Sequence, residues 1–407
     1  MPLMFEAGFQ HYLSYGATDQ RTVRELTDAF DGIVVPGTVA AFQREGTGGF
    51  MLTLSATQAG IPYVIDSRFP LFQQALERPK KSHQALAELL MDPALVSGAP
   101  PVASDFTEER LERIARHWAD FNEVYDTQQS AKFDKYARLL NEPVAPRNAQ
   151  GPSRILAPYF IARAPDDPWW RHSQRLFDLT RGHAQLEVIR VVACEEPWDL
   201  SDLLAEVPDE RVAVWVSDLD EIGTAPDALA AYGLAIAQAH RGGTRSFALY
   251  GGFFGLLLSS VGLGGASHGI GYGEYRAWLE LPQSGPPPAR YYLPRTHRYI
   301  AQDLAFAMWS ASPDITRCSC RVCDGGAPPD NYQDLMQHSV LARAQEVRQW
   351  AGLSPADAAA RLGEEHDAFE RDVLQAALPR PLRGPANRSF EHLPRWIAAL
   401  EEIDERL

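Results

Sequence analysis

The chain has 407 residues, 45% of them hydrophobic and 22% charged, which is ordinary for a globular protein and more than one small core usually holds. No apolar run is long enough to span a bilayer and no basic segment leads into a hydrophobic one at the N-terminus, so a cytoplasmic protein that does not span a membrane is expected. A formal net charge of −15 argues against broad, non-specific nucleic-acid binding, although it leaves room for a local basic groove.

In chain order, Ile33-Val34-Val35-Pro36 reads as a short buried strand, and Met51-Leu52-Thr53-Leu54 and Ile61 to Ile65 read the same way. Leu71 to Met91 turns helical, interrupted at Pro79. Asp105 to Glu108 has helix N-cap chemistry ahead of a long helical stretch that reaches about Leu140, with a break near Asp126. Asn141 to Ser153 reads as a loop. A regular rhythm follows, with strands at Ile155–Ile161, Leu186–Ala193, Val212–Val216, Ser246–Tyr250 and Gly264–Ile270. Helices are expected between them at Pro168–Leu179, Trp198–Ala205, Pro226–His240 and Phe253–Ser260. Strands and helices alternating in this way indicate parallel βαβ units. The count from Ile33 is about eight, which favours an α/β fold of the (β/α)8 TIM-barrel kind. No G-x-G-x-x-G run follows the first strand to support a dinucleotide fold. The barrel is expected over residues 1–281, and Pro282–Pro288 is read as a proline-rich turn that ends it. A metal-binding subdomain is expected over 282–350 and a helical extension over 351–407, with helices at about Asn331–Gln349, Pro355–Ala377 and Phe390–Ile403.

Barrels of this kind carry their chemistry at the C-terminal ends of the strands. Asp66 directly follows a buried strand, where a carboxylate's pKa can be tuned for catalysis. Asp218, Asp220 and Glu221 follow the Val212–Val216 strand, and Gly251 and Gly252 follow Ser246–Tyr250. Ser267-His268-Gly269-Ile270-Gly271-Tyr272-Gly273-Glu274 opens from the last strand. Glycines there let backbone approach a ligand, and this corner holds a phosphate in many barrels. His268 is a general acid/base, a phosphate partner or a satisfied core histidine. Asp218 and Asp220 are catalytic carboxylates or turn and cap residues. Cys194, at the end of an apolar strand with no base beside it, reads as a buried structural thiol.

The chain has only four cysteines, and three of them form Cys318-Ser319-Cys320-Arg321-Val322-Cys323. With His338 they make a Cys₃His set suited to a structural Zn²⁺ that stabilises a loop and has no open position for water. His297 and His366 are other histidines within reach. Arg290, Arg295, Arg298, Arg317 and Arg321 cluster nearby in sequence, forming either a basic patch for tRNA or DNA or ion pairs with the abundant carboxylates.

The chain resembles the tRNA-guanine transglycosylase superfamily, including its DNA-acting relatives, in three stretches. These are Cys318, Cys320, Cys323 and His338 with the helix that follows, Asp66-Ser67-Arg68-Phe69-Pro70-Leu71-Phe72-Gln73, and Leu249 to Ile270. The resemblance implies a (β/α)8 barrel with a zinc subdomain and exchange of a guanine-type base for a 7-deazaguanine through a glycosyl-enzyme intermediate. It implies that Asp66 handles protons at the base and that Asp218, Asp220 or Glu274 supplies a carboxylate. Ser67, Gln73, Gly251, Gly252, Ser267, Gly269 and Gly271 would then contact substrate. The cysteine-to-histidine loop is shorter than is usual in that family. Both glycines of its Asp-Ser-Gly-Gly-Phe-Gln motif are replaced, and Ser267 stands nearest the place of its nucleophilic aspartate. The alternatives are a catalytically silent homologue acting as a subunit of a homo- or hetero-oligomer or as a nucleic-acid-binding partner, and a zinc-stabilised barrel enzyme for a small phosphorylated or nucleoside-like substrate.

Overall fold

The computed structural model describes residues 4–6, 8–16, 19–57, 60–123, 125, 131–141, 151–271, 273–279, 289–376 and 378–407. The helix break near Asp126, Tyr272, the Pro282–Pro288 turn and most of the Asn141–Ser153 loop lie outside them.

The parallel staves are β1 (Gln10–Ser14), β2 (Gly32–Pro36), β3 (Tyr63–Asp66), the pair β4 (Ile155–Leu156) and β5 (Ile161–Ala162), β6 (Val188–Cys194), β7 (Arg211–Val216), β8 (Arg245–Ala248) and β9 (Leu263–Gly269). The sheet runs β3-β2-β1-β9-β8-β7-β6-β4, so the first stave lies beside the last, with Tyr12 opposite Ser267. β4 and β5 both pair with β6 and act as one interrupted stave. Pro158, which has no N–H to give the ladder, falls in the interruption. Between β3 and β4, Ser153 N donates to the Tyr63 carbonyl at 2.8 Å, and the ring is almost closed. With helices around it this is a (β/α)8 TIM barrel, as the alternation of strands and helices implied.

Two of the individual strand assignments need correction. Met51–Leu54 is not a strand but lies in the helix Arg44–Ala56, which is buried on nearly every side from Thr47 to Ser55. A helix apolar all round shows the same short apolar run as a buried strand. The true first stave is β1, whose polar Gln10 and His11 are nevertheless buried. The two errors cancel in the count.

Side chains alternate along each stave. Tyr12, Val34, Val64, Leu156, Ile189, Val191, Ala213, Trp215, Phe247 and Leu249 fill the lumen over Met4 and Phe5, and a larger apolar layer packs the staves against the helices. Arg154 donates to the Met4 carbonyl at 2.6 Å and Arg245 to the Phe5 carbonyl at 3.1 Å, holding the chain start against the N-terminal end of the barrel.

After the barrel come a hairpin, β10 (Arg290–Leu293) with β11 (Arg298–Ala301), the helix Gln302–Ala311, the cysteine loop and the helices Tyr332–Trp350, Pro355–Gln375, Arg380–Arg388 and Leu393–Arg406. The last of these packs on the barrel helix Pro226–Arg241, and Trp396 Nε1 donates to the Glu221 carbonyl at 2.7 Å. Among the described residues no helix is long and apolar enough to cross a membrane.

Candidate functional site

Asp66 ends β3 at the C-terminal mouth of the barrel and is buried. Val64 and Asp66 share one face of the stave, so the carboxylate continues the inward row. Its Oδ1 accepts from the Tyr159 hydroxyl at 2.9 Å and from Arg68 N at 3.0 Å, and its Oδ2 accepts from the Tyr250 hydroxyl at 3.3 Å. Burial raises both tyrosine pKa values, so both hydroxyls stay protonated and donate. The Arg68 N–H bond closes a turn in which Arg68 has φ +51, the left-handed region that glycine occupies most easily. This is where the resemblance places a glycine of the Asp-Ser-Gly-Gly motif.

The chain beyond β9 folds back over this mouth. Trp215 Nε1 and Asp218 N donate to the Arg276 carbonyl at 3.2 and 3.0 Å, and Trp278 N donates to Ser217 Oγ at 3.0 Å. Beside Asp66 this leaves a cleft of about 180 Å³ lined by Thr38, Arg68, Lys80, His83, Trp215, Arg276 and Trp278 among others. Burial, and then the charge of Arg68, lower the pKa of Arg276. Burial, with Lys80 and Arg276 nearby, lowers His83 to about 4, so its ring is neutral.

The other predicted residues are placed differently. Ser67 Oγ accepts from Phe69 N at 3.3 Å. Gln73 binds both main-chain groups of Ile161, giving its Nε2–H to the carbonyl at 3.0 Å and accepting the N–H at 2.6 Å, and so ties the β3 loop to β5. Asp218 is exposed in a left-handed turn, and Asp220 Oδ1 accepts from Ile222 N at 3.1 Å. Ser267 Oγ donates to the Leu249 carbonyl at 2.5 Å. Gly269 N donates to the Gly273 carbonyl at 3.0 Å, and Gly271, at φ +83, leaves room for Met336. His268 pairs with His11, with the two Nε2 atoms 2.7 Å apart, while the Nδ1 atoms face the Gly269 carbonyl at 2.8 Å and the Ala29 carbonyl at 3.0 Å. A neutral pair has two ring protons for these three contacts. Burial, then other positive charge, opposes a third and holds both pKa values down, His268 at about 3.

The glycine corner already holds an anion, the chain's own Glu221. Its buried carboxylate accepts N–H groups from Gly252 at 2.8 Å, Phe254 at 2.8 Å and Gly255 at 3.1 Å. Glu274 lies alongside and is ion-paired to the buried Arg343, which also stands 3.3 Å from Glu346. Burial, partly offset by Arg343, lifts Glu274 to about 7, and burial also raises Glu221. A Cβ on Gly252 would stand 2.6 Å from Glu221 Oε2 and 3.0 Å from Glu274 Cδ. Three N–H bonds hold the first carboxylate and Arg343 the second, so neither can step aside. Gly252→Ala is therefore expected to cost about 1–3 kcal/mol in urea unfolding, whereas Gly182→Ala, with open space around it, leaves the midpoint unchanged or raises it. An equal effect of the two substitutions would refute this crowding.

Cys318, Cys320, Cys323 and His338 are buried, with one ligand atom from each within 4.8 Å of all the others, and together they can hold a metal ion. Cys320 Sγ and Cys323 Sγ lie 3.5 and 3.3 Å from His338 Nδ1. A tetrahedral metal with S and N ligands needs about 3.6 Å there, so the donor set fits. His338 Nε2 donates to the Tyr292 carbonyl at 2.6 Å, which leaves Nδ1 as the metal-facing lone pair. The Tyr291 ring stacks on the imidazole, with centroids 4.4 Å apart. His297, by contrast, sits between Glu346 at 2.6 Å and Glu365 at 2.9 Å, and His366 contacts Asp367. Of the nearby arginines, Arg295 pairs with Asp372, Arg317 with Asp314 and Arg321 with Asp28, while Arg298 donates to the Arg388 carbonyl.

No protein-family model matches the sequence, and no curated protein does. Several solved structures are similar at low identity. Xylanase B from Clostridium stercorarium F9 is 10% identical at a TM-score of 0.35, covering 62% of this chain and 74% of its own. A monomeric dihydrodipicolinate synthase variant is 11% identical at 0.28, covering 64% and 69%. Nitroalkane oxidase from Streptomyces ansochromogenes is 14% identical at 0.27, covering 98% and 97%. The fold assignment rests on the stave order, and the site on its own geometry.

Sequence reasoning missed Tyr159, Tyr250, Trp215, Trp278, Arg276 and Arg343. The signal for Trp215 was present, since it takes the inward place two residues beyond Ala213. Nothing local marks Arg276, which reaches the mouth only because the chain folds back.

Proposed function

We propose that the chain is a base-exchange enzyme of the transglycosylase kind, acting at the barrel mouth on a guanine-type base in tRNA or DNA. The setting of Asp66 carries this reading. A buried carboxylate held by two tyrosine hydroxyls lies beside a cleft with two indole side chains, and a purine offers flat apolar faces and polar edges to match. When the base leaves the sugar it takes up a proton, and the incoming base gives one up. A carboxyl group at the base's edge serves both transfers, giving its proton to the departing base and, as the carboxylate, recovering one from the incoming base, while the sugar carbon exchanges one C–N bond for another. Among the other nominated carboxylates, Glu274 is paired with Arg343, Asp220 caps its own turn and Asp218 is in solvent. Zinc is the ion this reading assigns to Cys318, Cys320, Cys323 and His338, because thiolates and imidazole suit it. Four protein ligands leave no open position, so its role is structural.

Incubation with labelled guanine or 7-deazaguanine and bulk tRNA or DNA tests the reading. Wild type is expected to incorporate label, and Asp66→Asn to do so at least about 100-fold more slowly. Unchanged uptake by Asp66→Asn removes that residue from the mechanism. No uptake into either polymer by wild type removes base exchange. The second reading is a barrel enzyme for a small phosphorylated or nucleoside-like substrate. It is favoured by the net charge of −15 and by the carboxylate partners of Arg295, Arg317 and Arg321.

A further inference from the structure

The cleft beside Asp66 carries more donors than its surroundings use. Among the described residues, the half-buried Arg276 guanidinium has neither a hydrogen bond nor an ion pair, and burial lowers its pKa. Trp278 Nε1 and Arg68 Nε are buried without a hydrogen-bond partner. Arg68 Nε stands 3.7 Å from Asp66 Oδ2, too far for a hydrogen bond. His83 Nδ1 accepts from Lys80 N at 3.2 Å, so in the neutral ring Nε2 carries the hydrogen and is a further donor. Three cations, Arg68, Arg276 and Lys80, line the cleft, and among the described residues no carboxylate lines it. Buried donors left unmatched call for a bound partner, and here that partner must be rich in acceptor oxygens and negatively charged. The glycine corner after β8 and β9 cannot take the role, because Glu221 occupies its N–H groups.

We propose that this cleft is a phosphate-recognition site, in which Arg276, Arg68 and Lys80 hold the phosphoryl group of a nucleotide and the indoles of Trp215 and Trp278 flank its base. The assignment deepens the base-exchange reading and rests on it only for placing the substrate at the mouth. Guanidinium groups suit phosphate because their N–H pairs match its oxygens. The same phosphoryl group comes either from a free mononucleotide or from one residue of a nucleic-acid strand.

Calorimetric titration of the full chain with guanosine 5′-monophosphate, guanosine and a short single-stranded oligonucleotide separates these cases. Guanosine 5′-monophosphate or the oligonucleotide is expected to bind at least about tenfold more tightly than guanosine, with the advantage shrinking as salt is raised. Arg276→Gln and Lys80→Gln should each remove most of that advantage. Lys80 is exposed, so its variant carries the test if Arg276→Gln does not fold. Preference for the oligonucleotide identifies a strand as the source, and preference for the monophosphate identifies a free nucleotide. Equal affinity for guanosine and both phosphate-bearing ligands overturns the assignment, as does an advantage that survives in every variant that folds. Should label incorporation persist while the phosphate advantage is absent, base exchange stands and the phosphate site falls.

Discussion

If the proposed zinc site is occupied, wild type is expected to carry about one zinc equivalent and Cys320→Ser nearly none, with unfolding stability lowered by more than about 4 kcal/mol. Serine offers a hard oxygen where the set needs a soft sulfur. The remaining ligands would then leave buried thiols facing His338 with no ion between them. Much of the damage should be local, because the loop from Cys318 to Asn331 has little regular structure of its own. Limited proteolysis should therefore cut within that loop in the variant, and in wild type treated with a chelator, before the barrel is attacked. Elemental analysis, denaturation and the cleavage map check the three parts. A metal-free wild type as stable as the purified protein would refute the structural role.

Arg343→Met should cost about 3–5 kcal/mol, because it abandons Glu274 and Glu346 together in a buried setting. The cation lies 5.1 Å over the Tyr292 ring, so methionine also forfeits that contact. The loss depends on pH. Glu274 already titrates near 7 in the folded chain, above its ordinary value, through burial only partly offset by Arg343. Without the guanidinium its folded pKa rises further. Keeping it charged then costs stability, and the penalty sets in above the unfolded value and grows as pH rises through the folded one. The deficit of Arg343→Met against wild type should thus be larger at pH 8 than at pH 5, and Glu274→Gln in the same chain should recover part of it. Denaturant melts at the two pH values decide the matter, and a deficit that is flat with pH, or one that Glu274→Gln worsens, would show that the pair is not what Arg343 compensates.

How much could be read from the residues alone depended on how local each cause was. The cysteine run and His338 were legible because ligand chemistry selects residue types over a short span, and the helix Tyr332–Trp350 delivers the histidine where the pattern required it. Most staves were legible because two-residue alternation and the helices between them are local too. Gln10–Ser14 was not, since its burial is decided by pairing with β2 and with β9, some 250 positions along the chain. The helix Arg44–Ala56 misled because its surroundings bury it on almost every side. Asp66 was singled out from its place after a strand, but its tyrosine partners come from β4–β5 and from the end of β8, and no window of sequence joins them. The glycines of the last turn pointed to a phosphate because such runs often cradle anions. Here the anion is Glu221, thirty-one residues before Gly252.

The pairing of β1 with β9 also bears on how the molecule is made. During synthesis the first stave emerges early and its partner only when Leu263–Gly269 leaves the ribosome, so for most of translation the nascent sheet presents open edges at both ends. Such edges recruit other strands, which makes the half-finished chain the stage most exposed to aggregation and to chaperone capture. Release from that hazard comes with the ninth strand, before the cysteine loop has been translated, so the barrel can close without waiting for metal.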